Sequence, residues 1–252
     1  MRKEIIGDCT LYQADCLEVM EILDIVDHVI CDPPYESALH DMNKKLATGR
    51  QLRNKRNPFN EFDFQSIDEI RDPFVRSIKA NGWLIAFCIA EGIKPWEVAI
   101  NAAGFKYKRP CLWIKPDGMP QFNGQCPGLG YECFITAWCG QGHSKWNGGG
   151  KHGIYTYPKD STNKSSKHPT EKPIKLMEAL VRDFTSHGQT ILDPFMGSGT
   201  TGVACVKLGR KFIGVEIEQK YFDIACKRIE QAYKQPDLFI STPEKIKQEA
   251  FI

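Results

Sequence analysis

Long apolar runs are missing from this sequence. No stretch of about 18 consecutive apolar residues occurs, which excludes a transmembrane helix. The opening Met1-Arg2-Lys3-Glu4 leads into no apolar segment, so no secretory leader is expected. There is no C-x-x-C, and Cys133, Cys139, His143 and His152 lack zinc-ligand spacing, so no metal is expected. Net charge is scarce: 33 basic and 31 acidic residues leave +2, a total that marks no nucleic-acid partner. Internal repeats and low-complexity linkers are absent as well. A chain of 252 residues with these properties reads as one domain over residues 1–234 and a loosely attached tail over 235–252.

The cysteines are not scarce, but their scatter is informative. Ten of them run from Cys9 to Cys226 without the spacing of a disulfide scaffold. Cys31, Cys88, Cys133 and Cys205 sit in apolar runs, where a thiol behaves as a small hydrophobe. A reducing cytoplasm is the expected compartment.

Charge is uneven along the chain. Between Asn43 and Asn60 stand Lys44, Lys45, Arg50, Arg53, Lys55 and Arg56, with no acid among them. From Gly140 to Lys167 the chain is rich in Gly, Lys, Ser and Asn, with Lys145-Trp146 and Lys151 near its centre. Neither stretch has helical or strand periodicity, and both read as loops, inserted at 36–62 and 139–168. A basic loop taken alone is as readily a solvated face as a binding surface.

Around these loops strands and helices alternate. β-rich runs fall at Thr10–Gln13, Val26–Cys31, Trp83–Ile89, Tyr107–Ile114, Tyr131–Trp138, Thr190–Leu192 and Phe212–Val215. A helix is expected from Pro173 to Phe184, with Met177, Leu180, Val181 and Phe184 on one face. Another runs from Glu218 to Tyr233, with Phe222, Ala225, Cys226 and Ile229 together. The alternation predicts an α/β fold, a largely parallel sheet covered on both faces.

Two segments carry chemistry. Thr190-Ile-Leu-Asp-Pro-Phe-Met-Gly-Ser-Gly-Thr-Thr-Gly202 reads as a strand, a glycine loop and a helix from Val203 to Leu208. Gly197, Gly199 and Gly202 fit G-x-G-x-x-G, and the next strand ends at Glu216, placed for ribose hydroxyls. The pattern suits either NAD or S-adenosylmethionine. Asp193 before the first glycine leans away from NAD, because a carboxylate there repels a pyrophosphate and suits a sulfonium. The other segment is Asp32-Pro33-Pro34-Tyr35, after the apolar Val26–Cys31. Two prolines end the strand rigidly and display the acid and the aromatic at its carboxyl end. A carboxylate and a carbonyl accept the two N–H bonds of an exocyclic amine, and a ring stacks on the base.

The pairing of D-P-P-Y with D-P-F-x-G-S-G-T-T resembles the amino DNA methyltransferases, which methylate adenine N6 or cytosine N4 with S-adenosylmethionine. The order, D-P-P-Y early and glycine loop late, resembles the permuted β group. His168-Pro-Thr-Glu-Lys-Pro173 is similar to that group's H-P-T-x-K-P segment. The resemblance implies a doubly wound Rossmann-like sheet, mostly parallel with an antiparallel edge strand, in circularly permuted motif order. It implies Asp32, Pro33, Pro34 and Tyr35 as the catalytic tetrapeptide. It implies a cofactor site of Asp15, Cys16, Asp32, Lys172, Asp193, Pro194, Phe195, Gly197, Ser198, Gly199, Thr200, Thr201, Glu216 and Ile217. Within that set Lys172 is a candidate for the cofactor's methionine carboxylate and Asp15 for the neighbourhood of its adenine. Duplex DNA is the implied partner, with the Asn43–Asn60 basic residues and Lys145, Trp146 and Lys151 beside it, and the target base flipped from the duplex. No covalent enzyme intermediate is implied, so no cysteine is needed as a nucleophile. Asp at the first tetrapeptide position resembles adenine-N6 enzymes more, since cytosine-N4 enzymes more often carry Ser there; cytosine N4 is the alternative. An NAD-dependent oxidoreductase would leave D-P-P-Y unexplained. A restriction–modification setting in a bacterial or phage-infected cytoplasm, and a monomer or homodimer, complete the expectations.

Overall fold

Strands whose residues are apolar in both directions have to be covered twice, and the chain supplies a helical layer for each face. The computed structural model describes residues 1–34, 67–118, 127–159 and 171–234. Among them the strands are β1 (Arg2–Ile6), β2 (Cys9–Gln13), β3 (His28–Cys31), β4 (Trp83–Cys88), β5 (Lys106–Ile114), β6 (Tyr131–Trp138), β7 (Ile154–Thr156), β8 (Thr190–Asp193) and β9 (Lys211–Glu216). The helices are α1 (Cys16–Ile22), α2 (Ile67–Ser77), α3 (Ile93–Ala102), α4 (Ile174–Phe184), α5 (Thr200–Lys207) and α6 (Gln219–Lys234). All the strands join one sheet in the order β1-β2-β9-β8-β3-β4-β6-β5-β7.

Neighbours β2, β9, β8, β3 and β4 are mutually parallel. The expected antiparallel edge strand is β1. A second antiparallel strand, β6, lies inside the sheet between β4 and β5. Its reversal brings Tyr131 and Glu132 to the edge where β3 and β4 end.

Alternation along each strand divides the core. On β4, Trp83, Ile85 and Phe87 face one cluster, shared with Leu176, Leu180 and Phe184 of α4, Val203 of α5 and Phe222 and Ile229 of α6. Leu84, Ala86 and Cys88 face the other, shared with Val19 of α1, Phe74 of α2 and Trp96 and Ile100 of α3. Fully burying a side chain of this size is worth about 1.5–3 kcal/mol relative to leaving it in water. Cys9, Cys31, Cys88, Cys111, Cys133 and Cys205 are free, buried thiols within these clusters.

Helices α5 and α6, which follow β8 and β9, lie on one face, and α1, α2 and α3 on the other. The strand order therefore reverses its winding between β8 and β3, and such a switch point opens a crevice at the carboxyl edge. The D-P-P-Y strand and the glycine-loop strand meet there, with His28 opposite Ile191 and Val29 opposite Leu192.

The Gly140–Lys167 stretch differs from the expectation of a plain loop. Its Ile154–Thr156 forms β7 by parallel pairing to β5, a register set by the partner strand and not by any local pattern. The insertion 36–62 and the tail 235–252 lie outside the described residues.

Candidate active site

The glycine loop is built by backbone geometry that its sequence permits. Gly197 and Gly199 have φ of +50° and +81°, left-handed values that other L-residues rarely adopt. A Cβ on Gly199 would also lie 2.8 Å from the Cβ of Ala225 on α6. Helix α5 starts directly after Gly199, three residues earlier than its apolar pattern indicates.

Carboxylates brace this loop from beneath. Asp193, buried at the end of β8, accepts from the Phe195 amide at 3.1 Å and the Thr201 hydroxyl at 2.6 Å. Glu216, at the end of β9, accepts from the amides of Gly197 at 3.0 Å and Glu218 at 2.8 Å. Asp15 caps α1 by accepting from the Leu17 amide at 2.8 Å, with Cys16 buried beside it. Phe195 packs edge-on against Phe74 at 5.3 Å, and Ile217, next to Glu216, is exposed. The sequence-predicted residues Asp15, Asp193, Glu216 and the loop from Pro194 to Thr201 thus share one edge with Asp32.

Arg228, which no motif marks, ties the loop to the chain before α4. It donates to the Ser198 carbonyl and hydroxyl, both at 2.7 Å, and to the Thr200 hydroxyl at 3.3 Å. Its other terminal nitrogen is paired with Glu171, which also accepts from Thr200 at 3.1 Å. One helical turn of α6 separates Arg228 from Ala225 under Gly199, the spacing that could have suggested a loop-facing residue.

Asp32 sits where β3 stops at its prolines. Its Oδ2 accepts from the Lys172 ammonium at 2.5 Å, while Oδ1 is buried and has no hydrogen-bond partner among the described residues. Lys172, expected near the methionine carboxylate of the cofactor, is here in contact with Asp32. Its ammonium also lies 3.4 Å from Glu132 and 4.8 Å from the centre of the Phe87 ring. Glu132 in turn pairs with Lys115 at the end of β5. Burial pushes the Asp32 carboxyl above the ordinary range, with Lys172 opposing and Glu132 adding to the rise.

Tyr35, His168–Thr170 and the basic residues Lys44, Lys45, Arg50, Arg53, Lys55 and Arg56 lie outside the described residues. Lys145, Trp146 and Lys151 are described, and the structure does not bring them to Asp32. The Lys145 carbonyl accepts from the Trp83 indole at 2.5 Å, at the start of β4 and so at the opposite edge of the sheet. Trp146 packs on Phe184 at 4.7 Å, and Lys151 pairs with the buried Asp183 at 3.0 Å. The glycine-rich basic loop crosses the end of α4.

The crevice holds an excess of buried carboxylate. Burial, with the nearby Asp32 and Glu216 adding to it, pushes Asp193 up to about 7 against its two hydrogen bonds. Burial raises Glu216 as well. Such a site favours a cationic sulfonium over a pyrophosphate. The exposed apolar Ile217 lies beside Glu216, an apolar surface next to an acid at the crevice edge. The residues present therefore fit S-adenosylmethionine.

Comparison with known proteins agrees. A family model described as DNA methylase, for N6/N4 methyltransferases, matches residues 137–227. The Type II methyltransferase M.HinfI of Haemophilus influenzae is 27% identical over 94% of this chain and 73% of its own length. M2.DpnII of Streptococcus pneumoniae is 29% identical over 81% of this chain and 82% of its own. Among solved structures, the M1.HpyAVI–SAM complex superposes with a TM-score of 0.67 at 28% identity, covering 88% of this chain and 98% of that one. The cytosine-N4-specific PvuII DNA methyltransferase shares the fold at 16% identity, with a TM-score of 0.68 over 91% of this chain and 92% of its own. The tetrapeptide strand beside the glycine loop, the carboxylate-lined crevice and these likenesses converge: the chain is similar to the N6/N4 amino DNA methyltransferases, and its crevice fits their cofactor, S-adenosylmethionine.

Proposed function

We propose that this chain methylates the exocyclic N6 of adenine flipped out of duplex DNA, with Asp32 and the Pro33 carbonyl receiving the amine and Tyr35 stacking on the base. The observation that carries this reading is Asp32 itself: an acid at the first tetrapeptide position, with one oxygen clamped by Lys172 and the other buried without a partner among the described residues. An unpaired buried acceptor costs about 1–3 kcal/mol, so a donor that reaches Oδ1 binds with that much added incentive.

When bound, S-adenosylmethionine supplies an electrophilic methyl group on a sulfonium. Asp193, Glu216, Asp15, Ile217 and the loop from Pro194 to Thr201 are the residues that would hold it. Asp32 and Pro33 accept the two N–H bonds of the amine, which favours a pyramidal nitrogen and frees its lone pair from the ring. Holding the reactants in that geometry is the main contribution of the site. A methylated amine sheds one proton, and Asp32 Oδ1 is the acceptor beside it. The basic Asn43–Asn60 segment follows the tetrapeptide directly and is assigned to the DNA phosphates, giving affinity that falls with salt.

The test uses methyl-labelled S-adenosylmethionine and duplex DNA, followed by digestion to nucleosides. Label in N6-methyladenine is expected. Label in N4-methylcytosine would overturn the choice of base.

A further inference from the structure

Asp32, Lys172, Glu132 and Lys115 form a line of alternating charge across four elements at one edge of the sheet. Asp32 follows β3, Lys172 precedes α4, Glu132 is the second residue of β6, and Lys115 follows β5. The contacts run Asp32 to Lys172 at 2.5 Å, Lys172 to Glu132 at 3.4 Å, and Glu132 to Lys115. Lys172 is buried, with 6% of its surface exposed, so its ammonium is in place only because partners and the Phe87 ring hold it. The far end is anchored by the sheet: Glu132 is opposite Trp113 in the β5–β6 pairing, and Lys115 lies 4.6 Å from the centre of the Trp113 ring. The four formal charges cancel, which is the condition for burying them.

We propose that Lys172, steadied by Glu132 and Lys115, is a positioning residue for methyl transfer: it clamps one oxygen of Asp32 and leaves the other, Oδ1, as the oxygen Asp32 presents to the target amine beside the Pro33 carbonyl. This rests on the reading of Asp32 as the amine acceptor. Lys172 acts in two ways. It fixes the carboxylate's rotamer, so that Oδ1 has one direction. It also keeps the carboxylate ionised where burial and Glu132 both favour the neutral form, and a neutral carboxyl on Oδ1 is a poorer acceptor. Other groups that bear on Asp32 are Asp193 at the end of β8 and the buried Cys31 thiol on β3.

Opposite signs on the two partners make the idea testable. Removing the Lys172 charge strands Asp32 beside Glu132 and favours its protonation. Removing the Glu132 charge takes away a repulsion and gives Lys172 wholly to Asp32. The full chain with S-adenosylmethionine and duplex DNA is assayed for kcat against pH as Lys172→Gln, Lys172→Arg and Glu132→Gln, with cofactor Kd measured alongside. Lys172→Gln is expected to move the acidic limb to higher pH by about one unit or more, as loss of a close opposite charge does. Glu132→Gln is expected to move it to lower pH, and Lys172→Arg to restore it. Carbon-detected NMR titration of the Asp32 carboxyl, identified by its loss in Asp32→Asn, reads the same shifts without turnover. If Lys172→Gln does not fold, Glu132→Gln and Lys172→Arg decide. Shifts of equal sign, or none, overturn the proposal, as does a weakened cofactor Kd with an unmoved profile. Label appearing in cytosine would sink the adenine assignment while leaving these shifts measurable.

Discussion

At Asp32 a single carboxylate has two oxygens in different circumstances, one held by Lys172 and one buried with no partner among the described residues. Asp32→Asn keeps the shape but replaces an anionic acceptor by an amide. Methyl transfer is expected to fall by about 10²–10⁴-fold, the range for loss of a group positioned at a proton transfer. Cofactor affinity should change only a few-fold, because Asp193 and Glu216 hold their loop without Asp32. Single-turnover transfer and equilibrium cofactor titration separate the two. Full activity in the variant would remove Asp32 from the mechanism. Asp32 and Asp193 were legible in the sequence because each ends an apolar run just before a proline, and Glu216 because it ends the strand that follows the glycine loop at the spacing of a ribose acid. Glu132, Lys115, Glu171 and Arg228 were not, since strand pairing or helix packing brings each to its partner from a distant part of the chain. Lys172 was legible as functional but not in its contact, which depends on where β6 places Glu132.

Elements were legible where their pattern is intrinsic and missed where a neighbour imposes it. Helix α4 has a continuous apolar face and was located to within a residue; β7 has three residues and exists through its pairing to β5. Strand β1 lies at the sheet edge with Arg2, Lys3 and Ile5 exposed and no buried residue, so it carries little apolar signal. The basic loop before β7 has contacts that its local pattern did not show. Trp146 packs on Phe184 and Lys151 pairs with Asp183, both partners lying on α4, which follows in the chain. The junction of β8 and α5 shows how tightly an element can constrain one position. Gly199→Ala would have to keep φ at +81° and fit a methyl 2.8 Å from Ala225. Left-handed backbone costs about 1–2 kcal/mol and overpacking typically about 1–3 kcal/mol, so a loss of about 2–5 kcal/mol is expected. A urea titration with unchanged slope and a lower midpoint would show it. An unchanged midpoint would mean that α5 and α6 part easily and that the loop is not rigid.

Across the whole molecule, near-neutral net charge hides a division between a basic segment after the tetrapeptide and a carboxylate cluster in the crevice. The cluster makes stability depend on pH with a definite sign. Asp193 starts from an ordinary value of 3.8 and is pushed up to about 7, chiefly by burial. Between those values the folded chain holds a proton that the unfolded chain has released, so stability falls as pH rises through this window. Above pH 7 the ionised group costs on the order of 4 kcal/mol, and the cost is absent below the unfolded value. A cation in the crevice acts in the opposite direction, because it is attracted to the ionised form. S-Adenosylmethionine and S-adenosylhomocysteine share every titrating group and differ by a methyl and its sulfonium charge, so the ratio of their affinities isolates that attraction. If binding the sulfonium requires ionised Asp193, the ratio should rise by up to about tenfold between pH 6 and pH 8 and then level off. Isothermal titration of both ligands at several pH values measures it, with uptake or release of protons read from buffers of different ionisation heat. A ratio independent of pH would show that the sulfonium does not sense Asp193, and that the acid before the glycine loop serves only to brace Phe195 and Thr201.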